Sequence, residues 1–564
     1  MKKIYLLSIL AVILVCDLST FSLQAQKVIR GPYMQSPAPY SIIMRWRTDS
    51  LTDSRVNYGT TAGSLTFHAD SATPTTEHRV KINGLSARTK YYYNVGSSTQ
   101  VLKADSRMYF TTAIDSTMSD PVRFWVIGDF GHGNTAERDV RNSYYNYAAN
   151  HPADFQLWVG DNAYSDGKDQ EYQDKVFDTV NSFGNTFLNL PFVPTSGNHD
   201  WNSICAWTAP CNTDPNLQTG PYLNIIDPPT EGEQGGVASH KKLFYSFDYG
   251  DIHFVCLNSE LGATSAANDW LGVQRYADTS FNSSPMLDWL KADLAATTKK
   301  WKIAFWHQCP YSGQDNLTEL SSFQLFCIAA RNHFNPIIER YGIDLVLTGH
   351  DHNYQRGNLI NGHYGYMASF TPSMMLNNSS GNDDLGEAYI KYTNGPLAGK
   401  GAVYVVQGNS SEGNSYSTIS HPAIHWGEAC DTCYGSLMID VNGDRLDGHY
   451  FTSNGVVRDQ FTIKKQAWTG IDEEDAAFDH FYVFPNPFRE QTRISYTVLK
   501  KCPVKIDVLD ARGKVVMAYF SGYREPGDYQ DMIDMDKEYL PEGAYIVRLD
   551  CGGVVKYRKI VKAN

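Results

Sequence analysis

The chain has 564 residues, with 48 Lys and Arg against 61 Asp and Glu and a formal net charge of −13. At roughly 150 residues per domain it is too long for one core, and three folded units are expected. The acidic balance, without any dense Lys/Arg run, argues against nucleic-acid binding and leaves any anionic ligand to be drawn in by local rather than average charge.

Met1 to Gln26 opens with Lys2 and Lys3, is apolar from Ile4 to Val15 and ends on Leu23-Gln24-Ala25. This reads as a secretory signal peptide over residues 1–25, because an apolar part of roughly 7 to 15 residues is too short to span a bilayer. No later apolar run is long enough to span, so no transmembrane segment is expected in the mature chain. Cys16 as a lipid-anchor site is disfavoured by the bulky Val15 before it. Nine cysteines then remain, in a compartment that permits disulfides. Cys205 and Cys211 bracket a short loop and can pair. Cys430 and Cys433 form a lone C-x-x-C, which reads as a disulfide or two thiols rather than a zinc site. Cys256 reads as a buried thiol; Cys502 and Cys551 can pair near the end of the chain.

Residues 27–113 read as strands only, with Ser41 to Arg47 alternating, Arg55 to Tyr58 short, and Thr89 to Val95 carrying Tyr91-Tyr92-Tyr93. Regular turn spacing predicts a β-sandwich. The run Leu85 to Tyr93 resembles the tyrosine-bearing strand of a fibronectin type III-like domain. We read this unit as a spacer in preference to a carbohydrate-binding module, since fold alone implies no function.

From residue 120 to 465 buried strands alternate with helices, the pattern of a layered α/β core. Helices are predicted at Asn134 to Asn150, at Ser284 to Lys300 with Met286, Leu287, Leu290 and Leu294 on one face, and at Leu320 to Tyr341, stopped by Gly342. Five apolar segments end in polar motifs. Val122 to Ile127 meets Gly128-Asp129-Phe130-Gly131, and Phe155 to Val159 meets Gly160-Asp161-Asn162-Ala163-Tyr164. Phe192-Val193 leads to Gly197-Asn198-His199-Asp200, Ile303 to Trp306 meets His307, and Ile343 to Thr348 runs into Gly349-His350-Asp351-His352. The ends of buried strands are where α/β folds place chemistry. Were these strands neighbours, two Asp, one Tyr, one Asn and three His would converge, enough oxygen and nitrogen donors for two metal ions, with Asp161 the candidate bridge.

In this order the motifs resemble the metallophosphoesterase (calcineurin-like) signature, and the Tyr three residues after the second Asp is similar to purple acid phosphatases. The resemblance implies two facing mixed sheets flanked by helices, between an N-terminal and a C-terminal all-β sandwich. It implies one ion on Asp129, Tyr164, His352 and Asp161 and another on Asn198, His307, His350 and Asp161. A phenolate favours a hard trivalent ion, hence Fe(III) beside Tyr164 and Fe(II), Zn(II) or Mn(II) in the second position, with a tyrosinate band colouring the protein. The implied activity is hydrolysis of phosphate monoesters by water whose acidity the ions raise. His199 is the expected catalytic residue, binding phosphate or protonating the leaving alcohol, and Asp200 is its expected orienting partner or a plain cap. A phosphodiesterase or nucleotide hydrolase on the same centre is the alternative within the class, and a non-enzymatic surface adhesin the alternative outside it.

One departure concerns proton delivery. Plant-type relatives carry a histidine pair after the motif that holds His307, whereas this chain has Tyr311-Ser312-Gly313-Gln314-Asp315-Asn316 there. Proton delivery then rests on His199, or on a residue such as His132, His421 or His425. Gln407-Gly408-Asn409, ending the strand Ala402 to Val406, can also face the substrate. Trp201 to Lys242 is a long Pro/Gly/Asn-rich insertion leaving a ligand-bearing loop, and is read as either a substrate-selecting lid or a solvated ornament.

From residue 475 to 564 short strands return, at Thr492 to Val498, Val504 to Leu509, Lys514 to Tyr519, Gly543 to Leu549 and Val554 to Lys559. Phe484-Pro485-Asn486-Pro487-Phe488, Gly543-Ala544-Tyr545-Ile546 and the basic end Lys559-Ile560-Val561-Lys562 resemble the C-terminal sorting domain of type IX secretion cargo. That resemblance implies export through the periplasm, a secreted or cell-surface location, and the secretion machinery as a partner.

Overall fold

The computed structural model describes residues 26–201, 203, 219–260, 284–313, 322–415, 421–428, 430–468, 478–535, 537 and 539–563. The expected signal peptide and the Cys205 and Cys211 pair lie outside these residues, as do Gln314, Asp315 and Asn316.

The N-terminal unit is a six-stranded β-structure around Trp46, Val56, Tyr91, Tyr93 and Phe110. The two strands predicted at Ser41 to Arg47 and Arg55 to Tyr58 are one strand of 19 residues, Ser41–Gly59. It pairs with Val28–Gln35 along its first part, with Lys90–Gly96 along its last and with Phe67–Asn83 on the other edge. Register shifts between Arg47, Thr52 and Ser54 mark bulges. A bulge breaks the two-residue alternation and adds bend, so the sequence loses the strand where the backbone does not.

This unit, predicted as a spacer, is packed against the α/β core. Tyr33 is buried against Phe177 and Phe192, with ring centroids at 4.9 and 5.6 Å, and the Tyr93 hydroxyl donates to the Leu188 carbonyl at 2.9 Å. The described part of the Trp201 to Lys242 insertion joins the same interface. Tyr33 donates to the Ile225 carbonyl at 3.1 Å, and Asp227 receives Arg45 at 3.2 Å and Arg79 at 3.1 Å. Ile225 and Asp227 therefore dock the N-terminal unit, while Gln234 and Val237 of the same insertion bond Asp248, Asp293 and Trp289 of the core. Residues 202 and 204–218 of this insertion, read as either a lid or a solvated ornament, lie outside the described residues.

The core holds two mixed seven-stranded sheets. One runs Tyr245–Tyr249, Ile252–Cys256, Trp301–Gln308, Leu345–Gly349, Val403–Gln407, Tyr354–Gly357, Ile424–Glu428. The other runs Tyr389–Tyr392, Val457–Gln466, Arg445–Thr452, Gly435–Asn442, Val122–Ile127, Phe155–Val159, Phe192–Thr195. Successive side chains on a strand face opposite ways. Phe124, Val126, Phe155, Leu157, Ile303, Phe305, Leu345 and Leu347 accordingly share one core cluster between the sheets. Trp125, Ile127, Trp158, Trp306 and Val346 belong to the cluster formed with the helices.

Helix Thr135–Ala148 starts at Asn134, whose side chain accepts the Glu137 amide, and stacks Tyr144 on Trp125 at 3.9 Å. Helix Pro285–Ala296 starts at Ser284, which caps the Leu287 amide, and buries the predicted face Met286, Leu287, Leu290 and Leu294. It stops before the predicted Lys300, as Thr297 is already extended. The helix predicted from Leu320 to Tyr341 is two, Ser322–His333 and Asn335–Arg340. Pro336 explains the break, because a proline inside a helix lacks the donor amide and clashes with the preceding turn.

The C-terminal unit is a three-stranded sheet (Phe478–Phe484, Gln491–Val498, Gly527–Asp534) and a four-stranded one (Val515–Arg524, Cys502–Leu509, Gly543–Cys551, Val554–Lys562), with one core between them. Gly527–Asp534 escaped the sequence reading because it is polar and largely exposed. The predicted Cys502–Cys551 pair is bridged across 49 positions, and Cys430 is bridged to Cys433; Cys256 is a buried free thiol. Replacing Cys502 and Cys551 by Ser is expected to destabilise this unit by up to ~4 kcal/mol from loop closure alone. Thermal unfolding with and without reductant measures it, and identical midpoints would contradict it.

Candidate metal centre

The five motifs meet at one edge of the two sheets. On the strand Trp301–Gln308 the inward positions are 301, 303 and 305, so His307 inherits that face at the strand's end. Val159 is the last inward residue before Asp161 in the same way, whereas His350 lies beyond the strand end at Gly349, three residues after inward Leu347, so alternation does not assign its face. Three of these ligand candidates, Asp129, Asp161 and His350, have φ of 53°, 50° and 72°, a region costly for residues other than glycine and concentrated at functional sites. The chain tolerates the crowding only with glycines beside them. A Cβ on Gly197 would stand 2.2 Å from Asp161 Oδ1, and one on Gly160 would stand 2.5 Å from His307 Nδ1.

All seven predicted ligands converge. Tyr164 Oη is 3.3 Å from Asp129 Oδ1, 3.2 Å from Asp161 Oδ2 and 3.2 Å from His352 Nε2. His307 Nε2 is 3.3 Å from Asp161 Oδ2 and 3.2 Å from Asn198 Oδ1. Asp161 belongs with His307 and His350 to one potential ligand triad and with Asp129 and His352 to another. Donor atoms at about 2.1 Å from an ion sit roughly 3.0–3.4 Å from one another in tetrahedral or octahedral shells, so the observed spacings fit cations. The Val159 carbonyl accepts from His307 Nδ1 at 2.9 Å, which leaves Nε2 aimed at the site.

The electrostatics ask for positive charge. Burial pushes the Asp129 carboxyl up, against the nearby His307 and His352. Burial followed by the charges of Asp161 and Asp129 pushes Tyr164 far above the usual phenol range. At Asp161 burial is outweighed by His307 and His199, and its carboxyl is held low. Burial opposes a proton on His307 and His352 as well, yet the two carboxylates overcome it, raising His307 to about 10 and His352 to about 9. His350 is depressed by burial and by the charge on His307.

His199 lies at the rim with Nδ1 2.7 Å from the Ser165 carbonyl and Nε2 4.0 Å from Asp161 Oδ2. A carbonyl only accepts, so Nδ1 carries the hydrogen and Nε2 is left to exchange a proton. Asp200 does not orient it. Asp200 is buried and accepts from the Gly197 amide at 2.8 Å, from Asn162 Nδ2 at 2.9 Å and from the Tyr172 hydroxyl. Burial and the Asp161 charge raise it to about 7. It ties the loops of Asp161 and Asn198 together.

His132 stacks on the Tyr164 ring at 3.9 Å. His421 is buried among Tyr311, His363 and Phe370, and His425 bonds Asn358; neither reaches the ligands. Gln407 and Asn409 are buried and tied to the Gly435 and Cys433 carbonyls, so they do not face a substrate. Sequence reasoning missed Glu412, which stands 3.3 Å from His352 Nδ1 and 3.5 Å from His132 Nε2. A carboxylate on the far nitrogen of a ligand histidine sets its orientation. Glu412 follows an unremarkable Asn-Ser-Ser run, so no spacing signal points to it.

Residues 122–354 match the calcineurin-like phosphoesterase family, and the fold and site define the class as metallophosphoesterase. Residues 32–112 match the purple acid phosphatase N-terminal domain and residues 482–563 a secretion system C-terminal sorting domain. The chain thus carries a calcineurin-like phosphoesterase domain between a purple acid phosphatase-type N-terminal domain and a secretion system C-terminal sorting domain. It is 23% identical over 350 residues to acid phosphatase type 7 of Danio rerio, covering 56% of this chain and 68% of that one. It is 25% identical over 299 residues to purple acid phosphatase 23 of Arabidopsis thaliana, covering 50% and 58%. The chain thus spans little more than half of the plant relative. The solved purple acid phosphatase PPD1 from yellow lupin seeds superposes with a TM-score of 0.53 at 17% identity, covering 77% of this chain and 74% of that one, a likeness of fold.

Proposed function

We propose that this chain is an exported phosphomonoesterase with a dinuclear metal centre. The observation that carries the reading is Asp161, whose single carboxylate is common to both ligand triads. Asp129, Tyr164, His352 and Asp161 would hold one ion, and Asn198, His307, His350 and Asp161 the other. A phenolate donor favours Fe(III) in the first position, with Fe(II), Zn(II) or Mn(II) in the second. When bound, two such ions make water nucleophilic near neutral pH and offset the charge on phosphate oxygens. The chain's own contribution is to fix the ligands against the glycine-lined sheet ends and to present His199 Nε2 at the rim. From there His199 binds a phosphate oxygen or delivers a proton to the leaving alcohol.

The domain limits that fit this reading are residues 27–113, 120–465 and 475–564 after removal of 1–25. The sorting-domain match supports export through a type IX system to the cell surface or medium. No helix among the described residues is long and apolar enough to cross a membrane. Turnover of p-nitrophenyl phosphate on metal-quantified protein is expected to rise with metal content to two ions per chain. Full turnover without transition metal would sink the proposal. A higher kcat/KM for the bis-p-nitrophenyl diester would replace it with the diesterase reading.

A further inference from the structure

The segment that follows the ligand Tyr164 is held from two sides. Its inner side faces the metal ligands. Residues 169–176 form a helical turn, Asp169–Glu171, running into a π-helix, Tyr172–Val176. Glu171 accepts the amides of Ser165, Asp166 and Lys168 at 2.7, 3.0 and 3.1 Å. Lys175 pairs with Glu171 at 3.2 Å and donates to the Tyr164 carbonyl. Tyr172 donates to Asp200, the carboxylate that holds Asn162 and Gly197. The same eight residues thus fix the backbone around Tyr164 and Asp161 and, through Gly197, that of Asn198. They also fix Ser165, whose carbonyl receives His199.

The outer side faces the N-terminal unit. Arg30 reaches Asp169 Oδ1 at 2.9 Å, the Asp169 carbonyl at 2.9 Å and Gln173 Oε1 at 2.8 Å. Arg47 reaches both Asp169 oxygens at 2.6 and 2.8 Å, and Gln173 donates to the Ile29 carbonyl at 2.8 Å. Arg30 is only 2% exposed, so losing its carboxylate would strand a buried guanidinium. That is the case in which an ion pair matters, in contrast to exposed pairs worth little.

We propose that the N-terminal unit is a positioning device for the metal centre: Arg30 and Arg47 grip Asp169 and thereby fix the helical turn that sets Tyr164, Asp161 and His199. Asp169 is a positioning residue that touches neither ion nor substrate. The spectroscopic and affinity arms of this inference rest on the dinuclear reading above; the structural arm does not.

The test compares Asp169→Ala and Asp169→Asn with Arg88→Ala. Arg88 pairs with Asp154 across the same two units and makes no contact with residues 164–176, so it reports interface weakening alone. In metal-free protein, Asp169→Ala is expected to speed hydrogen exchange at the Ser165, Asp166 and Lys168 amides, with Asp169→Asn, which keeps the volume, moving them less in the same direction. In iron-loaded protein the tyrosinate absorption band should shift and iron affinity fall by roughly 10- to 100-fold, as for other residues that orient ligands. Arg88→Ala should change neither. Equal exchange in the Asp169 and Arg88 variants, or exchange unchanged from the parent, would overturn the proposal. If Asp169→Ala loosens the three amides while the iron-loaded parent shows no tyrosinate band, the positioning stands and Tyr164 as a ligand falls.

Discussion

Replacing Asp161 by Asn is expected to lower p-nitrophenyl phosphate turnover by roughly 10³-fold or more and to reduce bound metal from two ions per chain towards one. Asp161 is the residue shared by both ligand triads, so one substitution weakens both. The amide keeps the shape, and its oxygen can still accept the His199 amide that Asp161 Oδ1 receives at 2.7 Å. It removes the negative charge that bridging requires. Lowering the pKa of water from 15.7 towards 7 is worth on the order of 12 kcal/mol, a gain that would be lost wherever the substitution releases the cation that binds that water. The decisive comparison is with Asn198→Ala, which strips a donor from one site only and should leave the first ion bound. An Asp161→Asn protein with full metal content and turnover within tenfold of the parent would mean that the two ions do not share this carboxylate. Retained partner binding with no activity to lose in the parent would favour the adhesin reading.

Loading the metal-free protein with Zn(II) at pH 7 is expected to release protons from His307, His352 and Tyr164, seen as a dependence of calorimetric heat on the buffer's ionisation enthalpy. The sign follows from the free site. His307, raised to about 10, and His352, raised to about 9, both hold protons at pH 7. Tyr164, pushed up by burial and two carboxylates, holds one too. All three must lose them to become ligands. His350, depressed by burial, arrives neutral, and Asp161 arrives ionised. Metal binding therefore strengthens as pH rises, by up to ~10³-fold per unit between pH 6 and 8, and fails progressively on the acid side. Tyr164→Phe should reduce the release by about one proton. Release near zero in the parent would remove His307 and His352 from the ligand set.

Much of the site was legible in the sequence because its signal is local. An apolar strand followed by Gly-Asp, Gly-Asn-His or Gly-His-x-His states the direction a chain takes on leaving a sheet, and two-residue alternation assigns His307 its face without any long-range information. The residues that hold those ligands in place were not legible. Asp200 looked like a partner for adjacent His199, yet it bonds Asn162 and Tyr172, 38 and 28 positions away. Glu412 meets His352 from sixty positions further on. The turn at Pro336 shows the intermediate case: the breaker was visible, but the apolar pattern on either side concealed its effect.

Read along the chain alone, the residues already specify the α/β core flanked by strand-rich units and the order of the seven candidate donors, and they leave the pairing of Cys502 with Cys551 open until the structure joins them. What emerges only in three dimensions is that the N-terminal unit grips Asp169 and docks on Ile225 and Asp227 of the long insertion. The physical reason is that a metal ligand is advertised by its own chemistry and its place at a strand's end. A docking contact such as Arg30 with Asp169 is made of ordinary charged residues, and it acquires meaning only when two distant segments are brought within hydrogen-bonding distance and sealed from water.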